Sequence, residues 1–167
     1  MTRRLGIDPG NRGAAAIVEG DDLLWLASWR KCTRGYRVWV GLPPTVAITG
    51  TLAGVGRIIA EAASEYVIDI GGCEGQSIPK GRGVQSILTL ARGAGEVSAY
   101  TRDENRHIPW EWPTSRQWRP RVGIPPATPS KDAKRWAADI VRTRSGVALG
   151  PDEAEAVCIA WALEDGA

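Results

Sequence analysis

The order of elements readable along the chain, βββ-α-β-α-β-α-α, predicts an α/β fold with helices packed on a mixed five-stranded sheet. Three observations carry this expectation. Short apolar strands separated by tight turns fill the first 29 residues and predict an antiparallel meander. A β-rich run at 66–70 stands alone between two helical stretches. Apolar residues recur at helical spacing in four places downstream of the meander.

Leu5 to Asp8 is a short apolar strand that stops at the turn dipeptide Pro9-Gly10. Residues 13–18 and 23–29 read as the second and third strands, hinged at Gly20-Asp21-Asp22. Residues 30–44 are basic and rich in Gly and Pro, and read as a loop. Helical spacing covers 46–63, best over Leu52, Val55, Ile58, Ile59 and Ala62. The run 66–70 then leads through Gly71-Gly72-Cys73 to Glu74 at its C-terminal end. Residues 84–99 form a helix with a small-residue centre, Gly93-Ala94-Gly95, and 106–112 an edge strand broken by Pro109. Ser130 is a fitting N-cap for a helix over 130–142, and Pro151 a fitting first residue for a final helix to about 164. No linker divides the chain, so residues 1–167 are expected to form one domain.

Composition narrows the chemistry. No apolar run reaches the roughly 18 residues of a membrane span, and an acid at Asp8 interrupts any signal-like N-terminus; a cytoplasmic location is expected. Cys32, Cys73 and Cys158 are odd in number and widely spaced, which supports neither a disulfide framework nor a zinc ribbon. His107 is the sole histidine, so no multi-histidine metal site can be built. The net charge of +2 is uneven: 102–144 holds ten cationic against five acidic residues, +5, which leaves −3 elsewhere. A basic stretch beside an acidic remainder suits a protein that binds a polyanion on one face and metal elsewhere. An ordinary solvated surface would look the same.

Four acids stand out. Asp8 and Glu74 each sit where a strand stops, so neighbouring strands would bring their carboxylates together. Asp152 and Glu155 are three apart on a helix and share one face of its first turns. Such a cluster repels itself unless a hard dication such as Mg²⁺ lies between the oxygens. Singly, each has an ordinary explanation: a turn acid, a loop acid, or acids (with Glu153) that complement a helix dipole.

In order and spacing these motifs resemble RuvC-type Holliday-junction resolvases of the ribonuclease H-like superfamily. Leu5-Gly6-Ile7-Asp8-Pro9-Gly10 is similar to their opening strand, Cys73-Glu74 to their second acid, and Asp152-Glu153-Ala154-Glu155-Ala156 to their last helix. Leu90-Ala91-Arg92-Gly93, and Val122-Gly123 followed by Ser130-Lys131, extend the likeness over the whole chain, as in a divergent bacterial or phage member. Two departures are plain. Where the family often has a junction-opening aromatic, this chain has Ser77, which leaves Trp110 or Trp112 as replacements. The basic segment 30–37 is longer than the usual connection and has no assignment beyond possible DNA contact.

The resemblance implies a crossover-junction endodeoxyribonuclease that acts in recombination and repair as a homodimer and nicks four-way DNA junctions symmetrically, with a branch-migration motor as an optional partner. It implies hydrolysis at two Mg²⁺ ions, which Mn²⁺ can replace, leaving 5′ phosphate and 3′ hydroxyl ends. Asp8 would bridge the ions, Glu74 would ligate one, Asp152 and Glu155 the other, and Glu153 could stand in for Glu155. Lys131 would be the lysine that neutralises the phosphoryl oxygens. Lys80, Arg82, Arg116, Arg119, Arg121 and Lys134, with Lys131, are the candidate DNA contacts. Trp25, Trp39 and Trp161 are expected in the core, and helix 84–99 in a dimer interface or packed on its own sheet. A nuclease for ribosomal RNA precursors or for flap DNA would share these features. An actin-like ATPase needs a longer chain, and a binding module without catalysis would not need all four acids.

Overall fold

The computed structural model describes residues 1–75, 95 and 108–163. Among the described residues, seven strands make one sheet in the order β5-β4-β3-β2-β1-β6-β7. β1 (Arg3–Asp8), β2 (Arg12–Glu19) and β3 (Asp22–Cys32) form the expected antiparallel meander, and β6 (Ile70–Cys73) and β7 (Trp110–Glu111) run parallel to β1 on its other side. Alternation divides each strand between two cores. Leu5, Ile7, Ala15 and Ile17 face α1 (Leu52–Glu65), with its Leu52, Val55 and Ile59. Ala14, Ala16 and Val18 face the opposite layer, made by α2 (Ser115–Arg121), α3 (Ser130–Ser145) and α4 (Pro151–Ala162). Helices thus cover both faces, and none among the described residues is long and apolar enough to cross a membrane.

The sheet has two more strands than expected. Residues read as a loop contain β4 (Gly35–Val40), and the apolar residues read as a helix start form β5 (Thr45–Thr49). Val46 and Ile48 are 59% and 64% exposed, so their spacing reflects an edge strand rather than a buried helical stripe. The helix begins at Leu52, where the Thr51 hydroxyl accepts from Gly54 N at 3.2 Å. Gly35 starts β4 at φ +125°, and a Cβ there would meet Thr49 O at 2.2 Å, so the close β3–β4–β5 turnings need glycine at this point.

Other boundaries also move. Tyr66 caps α1, and β6 starts only at Ile70. The expected strand at 106–112 is reduced, among the described residues, to Trp110–Glu111. α2 was not expected, because Pro113 and Pro120 bracket and interrupt it; Gln117 stabilises its start by accepting from Thr114 N at 2.9 Å. Ser130 is the first residue of α3 rather than its cap. Helix 84–99, apart from Gly95, lies outside the described residues, as do Ser77, Lys80 and Arg82.

Candidate active site

Gly6 decides where the last helix can lie. A Cβ at Gly6 would meet Ala156 O at 2.3 Å and Ala160 N at 2.4 Å, so the backbone of α4 rests directly on β1. Ala154, Ala156 and Ala160 keep this contact thin, and all three are fully buried. The result is that the first turns of α4 meet the C-terminal end of β1. Carboxylate oxygens of Asp8, Asp152 and Glu155 there lie within 4.8 Å of one another.

Glu74 arrives from the neighbouring parallel strand. Ile7 pairs with Cys73, and Glu74 N donates to Ile7 O at 2.9 Å, so Glu74 follows β6 at the level of Asp8. Its carboxylate accepts from Trp118 Nε1 at 3.0 Å, and Trp118 itself is fully buried on α2. Glu74 stands outside the tight three-acid group but within its field. Burial raises the Glu74 pKa, the Trp118 hydrogen bond opposes this, and the charge of Glu155 raises it further. Asp8 is more strongly affected: burial pushes its carboxyl well above the ordinary 3.8, reinforced by Glu74, Glu155 and Asp152 and opposed by Lys134. An aspartate destabilised in this way is a site short of positive charge.

Among the described residues, the lysine at the acids is Lys134. Its ammonium lies 2.7 Å from Asp152 Oδ1 and 2.6 Å from Glu155 Oε2. Burial lowers the Lys134 pKa, but these two hydrogen bonds outweigh it and the net shift is upward. Lys131, expected in this role, is one turn earlier and exposed to solvent. Three residues apart, the two lysines lie on one side of α3, but Lys131 stands about 4.5 Å nearer its N-terminus, a helical turn short of Asp152 and Glu155.

The other expected DNA contacts separate in the same manner. Arg116 is exposed on α2. Arg119 is only 9% exposed, pairs with Glu155 at 3.7 Å and lies over the Trp118 ring, so it belongs to the interior of the site and is not a surface contact. Arg121 donates to Ala162 O at 2.9 Å and sits 3.5 Å from Glu111, which commits it to holding α2 on α4. One cation absent from the sequence reading is Arg12, four residues after Asp8, whose Nε lies 3.5 Å from Asp152 Oδ2. A basic residue just beyond the Asp-Pro-Gly turn was the available signal. Glu153 lines a neighbouring cleft, while Glu155 occupies the cluster.

The tryptophans are likewise sorted by the structure. Trp25 and Trp161 are buried as expected, whereas Trp39 is half-buried and lines that cleft. Trp110 covers Gly71, where a Cβ would meet its ring at 2.3 Å. Trp112 is 45% exposed beside Gly75, whose N–H donates to Pro113 O.

No protein-family model matches the sequence, and no curated protein matches it either. Solved structures do. RuvC from Thermus thermophilus in complex with a Holliday junction substrate aligns at TM-score 0.60 and 16% identity, over 97% of this chain and 92% of that one. A second Thermus thermophilus RuvC structure aligns at TM-score 0.57 and 16% identity, over 96% and 92%. The chain has the RuvC fold, a ribonuclease H-like arrangement. The β4–β5 extension and the glycine contact beneath α4 are therefore features set within a RuvC-like frame of nearly full length on both sides.

Proposed function

We propose that this chain is a metal-dependent endodeoxyribonuclease that nicks four-way DNA junctions, acting as a homodimer that cuts paired strands symmetrically. The observation that supports it most directly is the meeting of Asp8, Asp152 and Glu155 within 4.8 Å at the end of the central strand, with Glu74 alongside. The donor set is made of carboxylate oxygens alone, and the upward shift at Asp8 marks uncompensated negative charge; both fit a hard dication such as Mg²⁺, with Mn²⁺ as a substitute. Asp8, Asp152, Glu155 and Glu74 would hold it. Bound there, Mg²⁺ supplies a polarised water as nucleophile and neutralises charge at the phosphodiester.

The chain's own residues provide the remaining functions. Trp118 fixes the orientation of Glu74. Arg119 balances Glu155 from within. Lys134 is placed to donate hydrogen bonds to phosphoryl oxygens as their charge grows. Arg12, beside Asp152, and exposed Arg116 would hold the backbone phosphates without reading sequence.

Incubation of the protein with a labelled synthetic four-way junction in Mg²⁺ and in EDTA tests this reading. Paired nicks near the crossover are expected in Mg²⁺ alone, with 5′ phosphate and 3′ hydroxyl ends and little cutting of plain duplex. Absence of Mg²⁺-dependent cutting, or a preference for RNA over the junction, would overturn it.

A further inference from the structure

A cleft of about 470 Å³ opens between β3, β4 and the segment leading into α4, and Asp152 lines both this cleft and the acid cluster. That volume falls within the roughly 300–1,000 Å³ of ligand sites. Trp39 forms one wall, with Leu42 and Pro44 at its lip; Leu42 is 45% exposed.

The cleft is bordered by a row of arginines. Arg12 on β2 pairs directly with Arg30 on β3, and Arg30 pairs directly with Arg37 on β4. Directly paired residues share a sheet face, and like charges placed opposite one another destabilise the pairing. Neither Arg30 nor Arg37 has an acidic partner among the described residues. Three guanidinium groups, the first paired with Asp152 and the other two without an acidic partner among the described residues, therefore cross three adjacent strands, starting beside the acids and ending towards the sheet edge. At strand spacings of about 4.8 Å the row spans roughly 10 Å. Trp39 lies two residues from Arg37 on the same face, opposite Ser28.

We infer that this row and cleft form a track for an unpaired DNA strand leaving the acid cluster, with phosphates on Arg12, Arg30 and Arg37 and one unstacked base on Trp39. The proposal rests on the nuclease reading for its substrate, but its binding step can be measured separately. Strand β4 and the turn after it, which add this surface, thereby acquire a role beyond extending the sheet. Single-strand recognition commonly combines a cationic path with an aromatic platform in this way.

Fluorescence anisotropy in EDTA, with labelled oligothymidylate, a four-way junction and a blunt duplex, tests the track on the full chain. Trp39→Ala should weaken single-strand and junction binding about tenfold and leave duplex binding unchanged, while Trp39→Phe retains most of the affinity. Leu42→Glu changes an exposed residue at the lip, so it should weaken strand binding with the melting curve intact. The double variant Arg30→Gln/Arg37→Gln should lower the slope of log affinity against log salt by about 1.4 for the single strand. An unchanged slope, or equal loss on the blunt duplex with Trp39→Ala, would overturn the track. Track-dependent binding without Mg²⁺-dependent cutting would sink the nuclease reading alone. Normal cutting with unaltered binding in all these variants would sink the track alone.

Discussion

Asp8→Asn should abolish cleavage and at the same time make the metal-free protein more stable. Asp8 is 8% exposed, and the causes acting on its carboxyl include burial and three acids against a single opposing lysine. Two unit charges 4.8 Å apart repel by roughly 3.5 kcal/mol at an effective dielectric constant of about 20. Lys134, Arg119 and the exposed Arg12 offset much of this through Asp152 and Glu155, so a net gain of about 1–2 kcal/mol is expected from the neutral isostere. For a chain of this size that raises the melting temperature by about 3–6 °C. The sign with pH follows from the upward shift. A carboxyl whose folded pKa is raised contributes stability that is complete below its unfolded value near 3.8 and is lost as pH rises through the folded value. The gap between variant and wild type should therefore close in acid and open towards neutral pH. Millimolar Mg²⁺ should reverse the order, because only the wild type gains stability by binding the ion tightly. Melting curves by circular dichroism, across pH and with Mg²⁺ or EDTA, measure all of this. A variant less stable than wild type at neutral pH in EDTA, or a gap that widens in acid, would refute the electrostatic account.

Lys134→Ala should reduce junction cleavage at least about 100-fold, whereas Lys131→Ala should leave it near wild type; single-turnover rates distinguish the two lysines. Lys134→Ala should also lower metal-free stability by about 1 kcal/mol, a modest figure because its side chain is 36% exposed. Arg119→Ala should cost about 2–3 kcal/mol in urea denaturation, since it strips a partner from buried Glu155, while the salt dependence of DNA binding keeps its slope. Gly6→Ala should cost about 3 kcal/mol or more and lower Mg²⁺ affinity, because the new methyl meets backbone rather than a movable side chain. Calorimetry of Mg²⁺ binding to whatever fraction folds would show whether displacing α4 disperses the acids.

The parts of the fold legible in sequence are those where local pattern and tertiary outcome agree. The meander was readable because Leu5–Asp8 and its two successors are short apolar runs separated by Pro-Gly and Gly-Asp-Asp turns. The acids were readable for a related reason: a strand end and a helix start are local features, and each delivers a carboxylate to a predictable place. β4 and β5 were hidden because Pro43 and Pro44 separate them and because Val46 and Ile48 point to solvent, where periodicity carries no burial information. The choice between Lys131 and Lys134 depended on which turn of α3 lies against the start of α4. That placement is set by Ala133, Ala137 and Val141 packing in the common core, a relation between distant residues. Arg119 misled for the opposite reason: an arginine in a basic stretch looks solvated until a buried glutamate is found beside it.

On the proposed metal-dependent reading, the site joins two demands that work against each other. Catalysis by a hard cation requires several carboxylates crowded into a low-dielectric pocket, and the chain alone would expel them. The geometry answers this from the backbone outwards. A glycine in β1 and three alanines in α4 bring two main chains into contact, so the convergence of Asp8 with Asp152 and Glu155 is enforced by packing that carries no charge. Lys134 and Arg119 then neutralise the α4 pair, while Asp8 is left with the excess. Within one cluster, therefore, the acids of α4 are held ready by protein cations, and the acid of β1 remains the group most in need of an external one. A sequence that kept the four acids but replaced Gly6 with a larger residue would retain the motif on paper and lose the convergence on which it depends.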